Sequence, residues 1–519
     1  MAQPGVDRVS RPATLYHGGV IRPWADERTA EALLVRAGRV VATGALADLD
    51  TPGAARVNLD GAHLFPGFTD AHVHVWKVGQ LRTTLLDLRE TTSLDDLATQ
   101  VATRHAALPE GAWLWGRGWN EARLGAAPTR DLLDRLAPAR PVLLTRTCAH
   151  IHAVSTPALD RAGIGPDTVP PPGGEIDYPR GHLTETAYGL VYGAMPEPTQ
   201  AQFEEWILAG LTYLQSLGFT AATDPAVDPP LYAAYRALDA AGRLPIRVNL
   251  LYIRRPDGGA ATYPLPEKHH SARLRCDSVK FFLDGGLSGA TAAVSEPFKE
   301  TGTRGVLRFD PDELYELARE AHVAGFRIGA HAIGDVALTQ LLDVYERLRR
   351  EHPVGPRHRI EHFGLPDAGH LRRARKLDVI AVPQPVFLHE LRANYDRYVP
   401  DALAGQVFPL RAMFDAGLTV AFSSDGPVVR ELRPLAGLRA AVQGAYVPGQ
   451  DVTLAQALGA YTRGGAAAHG DPDRGTIEPG RHADLTVIGG NLFDTDPHSW
   501  PDIPVRGGVP ADAPEREAP

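Results

Sequence analysis

The feature that most constrains the fold is a unit recurring through the middle of the chain: an amphipathic helical stretch, a glycine, then a short apolar run. QFEEWILAGLTYLQSLGFTAATDP carries Gly218 at the junction, DELYELAREAHVAGFRIGAHAIGD carries Gly325, and LRAMFDAGLTVAFSSDGPV carries Gly417. PPLYAAYRALDAAGRLPIRVNLLY and DAGHLRRARKLDVIAVPQPV are looser copies. Glycine ends a helix readily because its backbone turns left-handed without a Cβ clash. Helices alternating with short apolar strands build a parallel α/β sheet, either a closed (β/α)8 barrel or an open doubly wound sheet. No G-x-G-x-x-G fingerprint follows any strand, which counts against a dinucleotide-binding open sheet. Polar residues gather at the carboxyl ends of the strands, where barrel active sites lie. The expectation is an α/β fold, a TIM-type (β/α)8 barrel.

The two ends of the chain read differently. LLVRAGRVVATG (33–44) gives two extended runs around Ala37-Gly38, and GTIEPGRHADLTVIGG (475–490) gives turn, strand, turn. These segments predict a small β-sandwich assembled from both termini, residues 1–65 and 471–510, flanking a barrel over 66–470. Residues from about 90 to 200 break the helix-strand rhythm with Trp113, Trp115, Trp119, a PPPGGE turn and the run PVLLTRTCAHIHAV, and are read as an insertion at the barrel's mouth. The tail 511–519 is polar and proline-rich, so disorder is expected there.

Composition excludes several classes. With 519 residues and 44% hydrophobic content the chain can bury a full core without disulfides. Its net charge is −9, and no basic run offers a nucleic-acid footprint. Cys148 and Cys276 make no disulfide framework, the start lacks an apolar signal core, and no run of about 18 apolar residues follows. A cytoplasmic protein with no membrane partner is expected. Only five of the 53 basic residues are lysines, so Lys280, set in the apolar run SVKFFLDGG, stands out.

FPGFTDAHVHV places His72 and His74 two residues apart, so on an extended strand both imidazoles project to one side. Neutral imidazoles in that pattern suit zinc, iron, nickel or copper. Three further strands end in ligand-type groups: RIGAHAIGD in His331, HRIEHFG in His362, and TVAFSSDGPV in Asp425. Each has a structural alternative. His331 or His362 can be a hydrogen-bonded core histidine, Asp425 a helix N-cap, and Lys280 an ion pair with Asp284. Parallel neighbouring strands would point all of them, with Lys280, into one cavity, and that coincidence favours a metal site. An ammonium has no lone pair for a metal. Lys280 would therefore serve as a neutral amine beside one ion, or as a carbamate, formed with carbon dioxide, bridging two.

These motifs, in this order, resemble the amidohydrolase superfamily and specifically its YtcJ-like branch, which includes N-substituted formamide deformylases. The resemblance runs through PGFTDAHVHV, GWN with APTRDLLDRLAPARPVLL, PPGGEI, GHLTETA, VKFFLDGGLSGATAA, GAHAIGD, RIEHF, SSDGP and GTIEPGRHADLTVI. It implies a (β/α)8 barrel with a β-sandwich from both termini. It implies His72, His74, Lys280, His331, His362 and Asp425 as the metal set, with Asp425 handling protons and His362 also catalytic. By the same resemblance Trp119, His150 and Glu185 fall in pocket segments. Zinc is the expected metal, as one ion or two.

The expected reaction is hydrolysis of a non-peptide C–N bond, a linear N-formyl or N-acyl amide, by metal-activated water with Asp425 as shuttle. The partner is a small amide-type molecule, and a homodimer is compatible with the resemblance. The alternatives are a cyclic amide, imide or ester hydrolase on the same centre, an isomerase, or a catalytically silent barrel. With no cationic cluster beside the motifs, a strongly anionic substrate is disfavoured.

Overall fold

The computed structural model describes residues 13–147, 151–171, 174–256, 259 and 261–511. The chain forms two compact units, Met1–Val75 with Gly210–Pro519, and Trp76–Ala209.

The first unit holds eight parallel strands that carry the repeat: β1 (Phe68–Asp70), β2 (Phe219–Val227), β3 (Arg247–Ile253), β4 (Leu274–Phe282), β5 (Arg327–Ala332), β6 (Arg359–His362), β7 (Ile380–Val382) and β8 (Thr419–Val420). Each strand from β2 to β7 lies between its sequence neighbours. Backbone hydrogen bonds from Ala71 N to Phe422 O (3.2 Å) and from Asp425 N to His72 O (2.8 Å) join the segment after β8 to the segment after β1. The sheet is thereby closed into the expected barrel. Helices precede the strands as the sequence pattern requires: Pro311–Val323 runs through Gly325 (φ +75°) into β5. Asp310 caps that helix through its carboxylate, accepting from Asp312 N at 3.0 Å.

Two four-stranded sheets from the chain ends accompany the barrel. One is ordered Arg39–Gly44, Ala32–Arg36, Ala13–His17, Ala55–Asn58; the other Val20–Ile21, His63–Pro66, Leu485–Ile488, Val505–Val509. Tyr16, Leu33 and Val40 of the first pack with Leu64, Leu485 and Val487 of the second in one buried cluster, so the sandwich draws on both termini. Gly67 leads from this sandwich into β1. A Cβ there would lie 2.2 Å from Thr220 Oγ1 and 2.9 Å from Asp484 Cβ, which is why the Pro-Gly turn has a glycine.

The second unit has its own six-stranded sheet, from Leu86–Asp87 through Leu114–Trp119 to Gly174–Asp177, and its own core around Leu97, Leu114, Leu133 and Leu144. The run PVLLTRTCAHIHAV contributes two antiparallel strands, Val142–Arg146 and Ile151–Val154. The tail from residue 512 lies outside the described residues.

Candidate metal centre

His72 and His74 do not sit on the strand. β1 ends at Asp70, and the two histidines follow it in a segment without ladder pairing. The alternation argument is therefore replaced by tethers. Asp70 accepts from His72 N (3.2 Å), Ser424 N (3.1 Å) and Ser424 Oγ (2.6 Å), while Val73 N donates to Thr223 O (2.9 Å) and His74 N to Gly426 O (2.9 Å). The segment after short β1 is thus held by β2 on one side and by the loop after β8 on the other, which fixes the imidazoles from two sides.

The other members arrive from strand ends. His362 is the last residue of β6 with φ +70°, and Asp425 lies five residues past β8 with φ +56°. Left-handed backbone in non-glycine residues costs about 1–3 kcal/mol each and gathers at functional sites. Asp425 caps no helix, since the next one begins at Pro434, so its structural alternative falls away. One ligand atom from each of His72, His362 and Asp425 lies within 4.8 Å of the others, and all three residues are buried. The Nε2 atoms of His72 and His74 are both 3.4 Å from Asp425 Oδ1, too far for good hydrogen bonds, and that buried oxygen has no hydrogen-bond partner.

Hydrogen bonds behind the rings set their tautomers. His72 Nδ1 lies 2.6 Å from Glu361 Oε2, whose carboxylate is also held by Arg359 Nε at 2.6 Å and Nη2 at 2.8 Å. His362 Nδ1 lies 2.8 Å from Gln384 Oε1; the Gln384 amide donates to Val382 O and Ser423 Oγ, both at 2.9 Å, so its oxygen faces the ring. Each imidazole therefore carries its proton on Nδ1 and turns an Nε2 lone pair toward Asp425, the arrangement that supports a bound metal. Burial works against the charge on Glu361, yet Arg359 and His72 hold its carboxyl well below the usual range.

His331, in β5, stacks edge-on against His362 with centroids 4.4 Å apart. Its Nε2 faces Gly285 O at 3.1 Å, which leaves Nδ1 as the lone-pair nitrogen. Lys280, in β4, is fully buried, has no hydrogen-bond partner, and lies 4.6 Å over the Phe282 ring. Burial pushes its ammonium down to about 8 against the pull of Glu361 and Asp425. The proposed ion pair with Asp284 is absent: that carboxylate accepts from Ala293 N, Ile333 N and Gly334 N at 2.8–3.1 Å. The donor set fits a divalent transition metal: imidazole lone pairs and a carboxylate converge in a buried space without satisfying one another.

Two of the remaining sequence candidates belong to the second unit. Trp119 is buried in the core of the second unit and donates its indole N–H to Leu144 O at 2.8 Å. Glu185 is exposed at the end of the strand His182–Glu185 in the same unit. His150 lies outside the described residues. Glu361, Arg359 and Gln384 were not singled out from sequence, although a glutamate next to a ligand-type histidine in RIEHF was the available signal. A cavity of about 410 Å³ is lined by Arg255, Phe282, Gly285, Arg308 and Phe309; Phe282 is the ring under Lys280, and Gly285 O the carbonyl that faces His331.

Residues 55–509 match the amidohydrolase family. The chain belongs to that family, a class of metal-dependent hydrolases. It is 32% identical over 515 residues to YtcJ of Bacillus subtilis strain 168, covering 93% of this chain and 95% of that one. It is 28% identical to the N-substituted formamide deformylase of Arthrobacter pascens, covering 90% of each. Among solved structures, an uncharacterised metal-dependent hydrolase from Pyrococcus furiosus superposes with a TM-score of 0.78 at 26% identity, over 93% of this chain and 99% of that one.

Proposed function

We propose that this chain hydrolyses a linear N-formyl or N-acyl amide at a single divalent transition-metal centre held by His72, His74, His362 and Asp425, with His331 and Lys280 completing the wall. The observation that carries this reading is the convergence of the His72, His362 and Asp425 ligand atoms within 4.8 Å in a buried space. The name of the Arthrobacter relative supports the formamide class. When bound, the cation supplies a Lewis acid and acidifies a water toward a pKa of about 7. Asp425 takes the proton of the attacking water and delivers it to the departing nitrogen, because an amide anion leaves poorly without protonation. Its carboxylate is suited to the first step, because the buried Oδ1 has no hydrogen-bond partner and is open to accept a proton. Glu361 and Gln384 orient the two imidazoles, and Arg359 balances the Glu361 charge in the closed interior.

The test is a screen of metal-reconstituted protein against N-substituted formamides, N-acyl amines, hydantoins and aryl esters, preceded by elemental analysis. Zinc at one equivalent and chelator-sensitive release of formate or another acid together with the free amine, their summed masses equal to substrate plus one water, are expected. Preferential turnover of hydantoins or esters would replace the substrate class, and a product of unchanged mass would replace hydrolysis with isomerisation. Two equivalents of metal, with labelled bicarbonate incorporated at Lys280, would convert the site to the carbamate-bridged form.

A further inference from the structure

The amino-terminal ends of the barrel strands, opposite the candidate metal centre, carry a second concentration of chemistry. A cavity of about 520 Å³ opens there, lined by Arg275, Arg327, Arg357, Arg463, Arg474 and Arg481, against two carboxylates, Asp471 and Glu478. Some of this charge is neutralised by ion pairs: Arg275 with Asp277 at 2.5 Å, Arg357 with Asp378 at 2.7 Å, and Arg474 with Asp484 at 2.8 Å.

Arg327, the first residue of β5, is different. It is 6% exposed, and among the described residues no carboxylate pairs with it. Its Nε and Nη2 reach only the carbonyls of Arg357 (3.4 Å) and Ala467 (3.2 Å), and its buried Nη1 has no partner. Burial and the nearby Arg359 guanidinium push Arg327 down to about 9. Arg474 Nη1 is likewise buried and unpartnered, as are both ring nitrogens of His469. A cation left this way is among the costliest arrangements a core can hold, and native structures retain it where a partner completes it.

We propose that this cavity is a binding site for a phosphate group, with Arg327 as its buried anchor and Arg463 and Arg481 at its rim. Guanidinium groups match the oxygens of a tetrahedral dianion in pairs, and several of them here converge on one space. The volume exceeds what inorganic phosphate occupies, and Trp24 lines the same cavity, so an organic phosphate with a flat or apolar body fits the shape.

The experiment measures melting and titration calorimetry of the full chain with inorganic phosphate, a sugar phosphate, a nucleoside monophosphate and succinate, each against chloride at matched ionic strength. A saturable rise in Tm with phosphate-bearing ligands is expected, and a larger one for the nucleoside monophosphate would mark Trp24 as part of the site. In Arg327→Met the response disappears, while in chloride the variant melts no lower than the parent because an unpaired buried cation has been removed. Should that variant fail to fold, Arg463→Gln at the exposed rim is expected to weaken phosphate binding by about tenfold or more. No saturable response in the parent, an unchanged response in Arg327→Met, unchanged affinity in Arg463→Gln, or equal binding of succinate would each overturn the assignment.

Discussion

The two ends of one barrel carry opposite chemistry. At the carboxyl ends of the strands, imidazoles and a carboxylate face one another without bonding, and the atoms that satisfy them stand behind, on Glu361, Arg359 and Gln384. At the amino ends, arginines dominate, and most are closed by direct ion pairs such as Arg474 and Arg247 on Asp484. The difference teaches what each end is for. Buried groups held apart in reach of one another can accept a ligand and perform chemistry on it. Buried groups closed on one another lock the sandwich to the barrel, since Asp484 also accepts from Gly67 N through its carbonyl at 2.7 Å and from Ala511 N through Oδ1 at 2.9 Å.

Substitutions separate these roles, and the largest effect is expected at Asp425. Asp425→Asn keeps the shape but removes the proton acceptor, so kcat should fall by about 10²–10⁴ while metal content, read by elemental analysis, stays near that of the parent. Unchanged kcat would strip Asp425 of its role. Glu361→Gln tests whether the carboxyl end also bears structural load. It leaves Arg359 uncompensated in the core, a loss of about 3–5 kcal/mol in denaturant unfolding, and it weakens metal binding by about 10–100-fold through His72.

Asp484→Asn makes the matching change at the other end. Burial raises the Asp484 carboxyl, but Arg474 and Arg247 overcome this and hold it well below the normal range. A depressed folded pKa means that the stabilisation is present above the unfolded value near 4 and is lost as pH falls below it. The parent should therefore show a falling Tm in acid, and the variant, weaker at neutral pH by about 3–5 kcal/mol, a flatter acid limb with metal content intact. Loss of metal from Asp484→Asn would show that the two ends are not independent.

Much of the barrel was legible because its signals are local. A helix ending in glycine, as at Gly325, and an apolar strand ending in histidine, as at His331 and His362, can be read within a dozen residues. What converges was also anticipated, since parallel strands leave their last residues no other place to go. Partners chosen by three-dimensional proximity were not legible. Nothing in the order of residues says that Gln384 turns its oxygen to His362, or that Asp284 spends its carboxylate on three backbone amides rather than on Lys280. Trp119 shows the limit of spacing: its alternation with Trp113 and Trp115 fits a pocket lining or a core equally well, and the indole bond to Leu144 O belongs to the core. The arginine cavity escaped for the same reason, because its members come from strands, loops and the returning terminus, with no basic run among them.

The smallest expected effect comes from the helix layer and sharpens the contrast. The Tyr345 hydroxyl, on the helix Asp335–Glu351, donates to Arg359 O at 3.0 Å and is 3.4 Å from Ile328 O, so it ties the helix layer to the starts of β5 and β6. Tyr345→Phe removes one neutral hydrogen bond and should lower stability by about 1 kcal/mol. Because Arg359 and Glu361 keep their own bonds, metal content and the acid limb should both stay as in the parent. If metal content fell instead, the position of β6 would depend on this hydroxyl, and the rigidity credited to Glu361 and Gln384 would have to be shared with the helix behind them.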